Sequence, residues 1–331
     1  MTRFASYKVI SSYFAFIVVS FVSVTGKALA VDGISFTLDN DLFIASDDGY
    51  TNGIYVSWYF FGRDEEQPES SWLVQPLKWS MPDEKGELSV SAYSIGQSMF
   101  TPEDILATNP DPNDIPYSGL LFLSNTYIVS YGPYADVIST TVGVVGPISG
   151  AEGSQKFIHD ITGSDQPQGW SHQLDNELIF KFSRGRMWRH WVSENGHFDF
   201  LSGADIGIGT LESSINAGFT IRVGNQLDVS HISGSLIPSR TSNFVAINDG
   251  WFAYLMVGAS LIANQIIFDG NTFRDSRSIE TDHTHLALTS GLAYSWGNLS
   301  VTLAYVDFSF TDDEHSNLSQ LGTLTIGWMF R

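Results

Sequence analysis

Cysteine is absent from the 331 residues, which excludes a disulfide framework, a thiolate metal site and a cysteine nucleophile together. Basic side chains are scarce: 16 Lys and Arg stand against 36 Asp and Glu, a formal net charge of −20. A chain this acidic does not hold nucleic acid through counterion release. It also repels an anionic lipid surface unless divalent cations intervene, which brings calcium or magnesium into view. Beyond residue 30 no segment reads as a membrane helix. The one apolar run lies at the start, where Arg3 and Lys8 precede IVVSFVSV and Ala28-Leu29-Ala30 supplies a small-x-small pattern. This layout predicts a secretory signal peptide over residues 1–30, cut after Ala30, and a mature chain of residues 31–331. The run is short for a membrane anchor.

What fills the rest is two-residue alternation, rich in Phe, Tyr, Val, Ile and Thr, as in IYVSWYF (54–60) and VTLAYVDFS (301–309). Candidate strands fall near 33–42, 52–62, 88–98, 119–131, 135–146, 171–183, 197–210, 213–225, 250–264, 283–296, 299–310 and 320–330. That makes twelve, an even number, as expected of a single-chain bacterial outer-membrane barrel with apolar residues outside and polar ones inside. The 14% aromatic content suits interfacial girdles. A soluble sandwich shares the alternation. Against it stand the signal peptide and strands whose alternate residues stay large and apolar to the C-terminus, TLTIGWMF, although Phe330 is followed by Arg331. The expected fold is therefore all-β: a transmembrane antiparallel β-barrel of about 12 strands, with a short helix in an extracellular loop.

With both termini in the periplasm, the connections after odd strands face the exterior, so loops 43–51 and 147–170 share one end. Asn40, Asp41 and His159 then have the opportunity to meet. Two connections assigned to the opposite side, 63–87 and 226–249, are long for it, which implies extra elements or a slip of one strand.

Two motifs carry possible chemistry. In AEGSQKFIHDITGSDQPQGWSHQLDNE (151–177), Gln155 and His159 stand four apart, so one helical turn aims both at the same spot. GVVGPISG before the turn and SDQPQG after it place this helix in a long loop, where function concentrates on a rigid scaffold. A solvated loop with an incidental histidine is the plainer alternative. In TLDNDLFIASDDGYTNG (37–53), Asn40 and Asp41 offer hard oxygens at a strand end, and Asp47, Asp48, Thr51 and Asn52 add more. Such clusters suit calcium, though the spacing is not an EF-hand and turn geometry alone accounts for Asp, Asn and Gly residues there.

Other candidates fall away. Ser98 in GQSMF lacks the fifth glycine and the strand-to-helix turn of a nucleophile elbow. His283 and His285 read as one strand face with no third ligand. Asp312-Asp313-Glu314 reads as a polar loop. Lys78, Lys85 and Lys156 are the few basic groups near relevant loops; of these Lys156 lies beside His159, where it contacts solvent or a phosphate.

Taken in order, NDLF, YTNG, GQSMFTPED, PYSGLLFLS, the His159 loop with GWSHQLDNE, and DGNTFRDSRS resemble the lipid A 3′-O-deacylase family of outer-membrane enzymes (LpxR type) over the whole mature chain. The resemblance implies a twelve-stranded barrel and a calcium-dependent ester hydrolase acting on lipopolysaccharide, which removes the 3′-acyloxyacyl group of lipid A in the outer leaflet of a Gram-negative outer membrane. Carried over, Asn40 and Asp41 match the calcium pair, His159 the catalytic histidine, Gln155 the polar residue four positions ahead, and Thr51 a site hydroxyl. Asp160 or Asp165 matches the family's acidic residue after the histidine. The chemistry this implies is a metal-polarised ester and a His159-activated water, with activity lost on chelation and at acid pH. A monomer that meets outer-membrane lipids and no nucleic acid is expected. A barrel phospholipase or esterase of like chemistry, and a non-enzymatic pore or adhesin, are the alternatives.

Overall fold

Each alternating stretch becomes one strand of a wall. In the computed structural model, which describes residues 31–40, 49–63, 71–227, 249–309 and 320–330, the strands are β1 (Gly33–Asn40), β2 (Gly49–Arg63), β3 (Leu88–Thr101), β4 (Ser118–Ser130), β5 (Tyr134–Val145) and β6 (Glu177–Val192). Then follow β7 (Phe198–Gly209), β8 (Glu212–Gly224), β9 (Gly250–Gln265), β10 (Thr284–Trp296), β11 (Leu299–Ser309) and β12 (Gln320–Met329). Every strand pairs antiparallel with its sequence neighbours, and β1 returns to β12, closing a barrel. Closure leaves no open edge, which a membrane-spanning sheet requires. Among the described residues no helix is long and apolar enough to cross a membrane.

The alternation sorts side chains by face. Along β1, Ser35, Thr37 and Asp39 are buried inside, where Ser35 bonds the Tyr59 hydroxyl at 2.6 Å and Thr323 donates to Asp39 at 2.8 Å. Ile34 and Phe36 point outward and are exposed. The same rule leaves Ile206, Ile208, Ile215, Phe219, Leu255, Val257, Leu288, Leu292 and Leu303 exposed on the outside, the apolar band that lipid selects.

Inside, Tyr59, Val90, Ile128, Val137, Met187 and Leu201 form one cluster, and Tyr254 reaches it from the far wall. Toward the other mouth, Leu120, Val145 and Ile179 pack with Leu174 and with a short helical turn, α2 (Ile266–Asp269), which folds into the opening. Buried ion pairs, Lys181–Glu212 at 2.8 Å and Arg222–Asp199, complete the interior among the described residues. This is packing rather than a bare lumen.

The strand reading needs one correction. The stretch 171–183 was expected to be a strand; instead Trp170–His172 is a 3-10 turn and β6 runs nine residues beyond 183, to Val192. The far half of β6 carries Arg184 and Arg186 on its outer face, which breaks the apolar alternation. The connection after β2 supplies the reason: residues 71–87 fold back over that outer face, so that Leu73, Val74 and Met81 are buried there and the Arg184 side chain reaches the Ser80 carbonyl. His283 lies just before β10, so it does not share a strand face with His285. Ser98 is buried within β3. The signal-peptide residues, the 226–249 connection except 226, 227 and 249, and Asp312-Asp313-Glu314 lie outside the described residues.

Candidate active site

The connection after β5 carries the site. Helix α1 (Ala151–Thr162) starts after Gly150 and has Glu152 in its first turn, a charge that favours the helix N-terminus. It ends on Gly163 in the left-handed region, φ 76°, whose N–H bonds the His159 carbonyl at 2.9 Å, a glycine C-cap. That reversal decides the position of the catalytic candidate. The chain turns back so that the Asp165 carbonyl oxygen stands 2.5 Å from His159 Nδ1. A carbonyl only accepts, so Nδ1 is the donor in this contact, and in the neutral imidazole the lone pair is then on Nε2.

The helix is clamped to the wall from outside. A Cβ on Gly119 of β4 would stand 2.3 Å from the Ala151 methyl, so only glycine admits the helix so close. Gln97 of β3 donates to the Ser149 carbonyl at 2.6 Å. Met99, Tyr117, Ala151 and Trp170 form a small buried cluster beneath, with the Tyr117 and Trp170 rings 4.9 Å apart. Burial pushes the Tyr117 phenol up to about 12, chiefly by desolvation.

Gln155 is buried against this cluster at 1% exposure, and its Oε1 accepts the Trp170 indole N–H at 2.7 Å. Because the indole only donates, the carboxamide orientation follows, and Nε2 is left buried without a partner. Across from it stand Asn40 and Asn52, directly paired in the β1–β2 register. Both share the outward face of Ile34 and Phe36, so the cleft lies on the outer flank of the barrel, not in its lumen. Asn52 is buried and its Oδ1 has no partner.

Asn40, Asn52, Met99, Glu103, Asp104, Gln155, Ile158, His159 and Asp165 line this cleft of about 480 Å³. Among the described residues no group of three His, Asp or Glu side chains could hold a metal. The oxygen donors lining the cleft that fit a hard cation are the amide oxygens of Asn40 and of the unpartnered Asn52 and the side chains of Glu103 and Asp104, with Asp41 next in the chain.

A family model described as the outer membrane protein LpxR matches residues 12–330. The chain belongs to that family. Among solved structures, LpxR from Salmonella typhimurium superposes with a TM-score of 0.71 at 14% identity, covering 90% of this chain and 100% of that one, so the two share a fold. The β domain of the Bordetella autotransporter BrkA (TM-score 0.45, 9% identity, 91% and 99% covered) and the KdgM porin (0.39, 6%, 90% and 99%) are more distant barrels. No curated protein sequence matches.

Of the residues expected in this LpxR-family site, the fold brings together Asn40, Gln155 and His159. Asp41 lies outside the described residues, and Thr51 is described only as backbone of β2. Between the two candidate acids, Asp165 meets His159 through its main chain, while the Asp160 carboxylate accepts from Gln166 Nε2 at 2.8 Å. Lys156 is paired with Glu152 at 2.6 Å on the exposed side of the helix. Asn52, read in the sequence only as one more oxygen of the turn, faces Asn40 in the cleft; sequence reasoning passed over Glu103, Asp104 and the Trp170 anchor, though each sits inside a quoted motif, FTPED or GWSH. The missing signal was pairing register, which sets Asn52 against Asn40.

Proposed function

We propose that this chain is a calcium-dependent lipid A 3′-O-deacylase, an ester hydrolase of the outer leaflet whose nucleophile is water. LpxR-family membership supports lipid A deacylase chemistry. The observation that carries the mechanism is the contact of His159 Nδ1 with the Asp165 carbonyl, which aims Nε2 away from it at the edge of a cleft on the outer flank of the barrel. Nε2 takes a proton from water as its oxygen attacks the acyl carbonyl carbon. The ester C–O bond then breaks, the proton passes from Nε2 to the departing 3′ oxygen, and the acid leaves beside the free hydroxyl, giving up its own proton to solvent as it becomes a carboxylate. Gln155 Nε2, a buried donor with no partner, has the chemistry to hold the carbonyl oxygen as charge develops. Asn40, Asn52 and Asp41 would hold the calcium ion, which when bound supplies Lewis-acid stabilisation of that charge. Thr51 is assigned a positioning hydroxyl by the family resemblance.

A leader over residues 1–30 would deliver the chain to the periplasm, and the cleft would then face the exterior. All residues named belong to one chain, so a monomer suffices. The test is mass spectrometry of lipid A after incubation with detergent-purified protein, with calcium or with chelator. Loss of the 3′-acyloxyacyl mass only in the calcium sample is expected. Unchanged lipid A beside cleaved glycerophospholipid would replace the reading with a phospholipase of like chemistry.

A further inference from the structure

At the end of the barrel away from the cleft, the outer wall is ringed with tryptophan. Trp188, Trp191, Trp251, Trp296 and Trp328 sit at strand ends there and are exposed. The ring has a gap, since β3, β4 and β5 contain no tryptophan. In that gap the wall is polar where lipid would demand apolar residues. Asp136, fully buried, takes bonds from both Arg184 and Arg186, and Asn125 donates to Ser91 at 3.1 Å. Charge on a lipid face is costly, and this charge is covered. The strap of residues 71–81, built on a 3-10 turn over Gln75–Ser80, buries Val74 and Met81 against Tyr127, Val129 and Ile138. Lys78 lies 4.1 Å over the Tyr127 ring.

The strap turns two residues the other way. Trp72 is 75% and Trp79 83% exposed, more than any tryptophan of the strands. The strap lies next to the ring: Trp188 pairs with Tyr134, the first residue of β5, and the strap packs on Ile138, the second outward position beyond it. We propose that residues 71–81 are a membrane-surface element: Trp72 and Trp79 insert into the phospholipid interface opposite the cleft and complete the tryptophan ring over β3–β5. The partner is a lipid surface, which the apolar body and single N–H of indole fit at the head-group level. The inference rests on the barrel wall lying in a bilayer and is independent of the hydrolase reading.

Because the chain has no cysteine, an introduced one is unique. Trp72→Cys and Trp79→Cys, each carrying a nitroxide, are reconstituted in phosphatidylcholine vesicles beside Val257→Cys, midway along β9 on the bare wall, and Glu194→Cys in the β6–β7 turn. Collision rates with oxygen and with a water-soluble nickel chelate are read by power saturation, and heat-modifiable migration checks folding. The expected oxygen-to-nickel ratio at 72 and 79 is several-fold above Glu194 and below Val257. Values equal to Glu194, or labels shielded from both reagents by protein, overturn the proposal. An aqueous reading at Val257 as well would instead unseat the embedded wall. A second measurement needs no label: the Trp72→Phe/Trp79→Phe double variant should lose part of the fluorescence quenched by brominated phosphatidylcholine, and an unchanged quenched fraction counts against the strap.

Discussion

Two sectors of the same wall obey different rules. From β7 round to β12 the outward residues include Ile206, Phe219, Val257 and Leu303, exposed and uncovered. From β3 to β5 they include Ser89, Ser91, Asn125, Asp136 and Thr140, every one buried beneath returning chain. At one end the cover is the strap; at the other it is α1 with its tryptophan and tyrosine footing. The difference teaches that outward polarity in a barrel strand is a sign of a covered wall, and the covered sector is also the one with a cleft against it.

The largest effect that would break this comparison is chemical. His159→Ala should lower hydrolysis by about 10²–10⁴-fold, the usual contribution of a general base, with heat-modifiable migration intact; near-normal turnover by lipid A mass spectrometry would remove His159 as the base. Asp41→Ala should raise the calcium concentration needed for half-maximal activity, and an unchanged calcium titration would take Asp41 out of the site.

Stability contrasts the sectors next. On the covered wall, Asp136→Ala strands two guanidiniums and should cost the lower end of roughly 3–5 kcal/mol, because Arg186 keeps 37% of its side chain in solvent. On the bare wall, Val257→Arg, midway along β9, should cost about 2–4 kcal/mol near the bilayer midplane, while Val257→Ile changes little. Urea midpoints for unfolding from vesicles measure both. If Asp136→Ala proves harmless, the strap has no charge to shield.

Within the site, Gln155→Leu leaves the Trp170 indole N–H buried and unpaired, at about 1–3 kcal/mol. Activity should fall more than with Trp170→Phe, which keeps the Gln155 donor; equal losses would make Gln155 a structural residue only. The smallest effect is alkaline. Tyr117, buried and neutral, has its folded pKa pushed up to about 12 from the ordinary value of 10.0. Its contribution is complete below the unfolded value and lost as pH rises through the folded one. Trp170 emission should therefore shift red between about pH 10 and 12, and a Tyr117→Phe variant should shift less.

Twelve strands were legible because a half-wet, half-lipid wall imposes a period of two. Most ends came within a few residues: the expected 88–98 runs to 101, and 299–310 ends at 309. β6 failed for a tertiary reason, since Arg184 and Arg186 belong on an outward face only when residues 71–81 cover it. In the site, the four-residue spacing of Gln155 and His159 was readable as one helical face, and strand parity brought Asn40 to the same end. The orienting partner of His159 was not readable, because a main-chain carbonyl has no letter in the sequence. Nor was the place of Asn52 opposite Asn40, which depends on register across β1 and β2.

A cleft on the flank of a barrel changes how its reactant arrives. A solute would have to find the protein in three dimensions, but a lipid already in the leaflet meets it by diffusing within a plane. Turnover in a membrane is then governed by molecules per unit area, and adding inert lipid or detergent should slow the reaction by surface dilution even at constant bulk substrate.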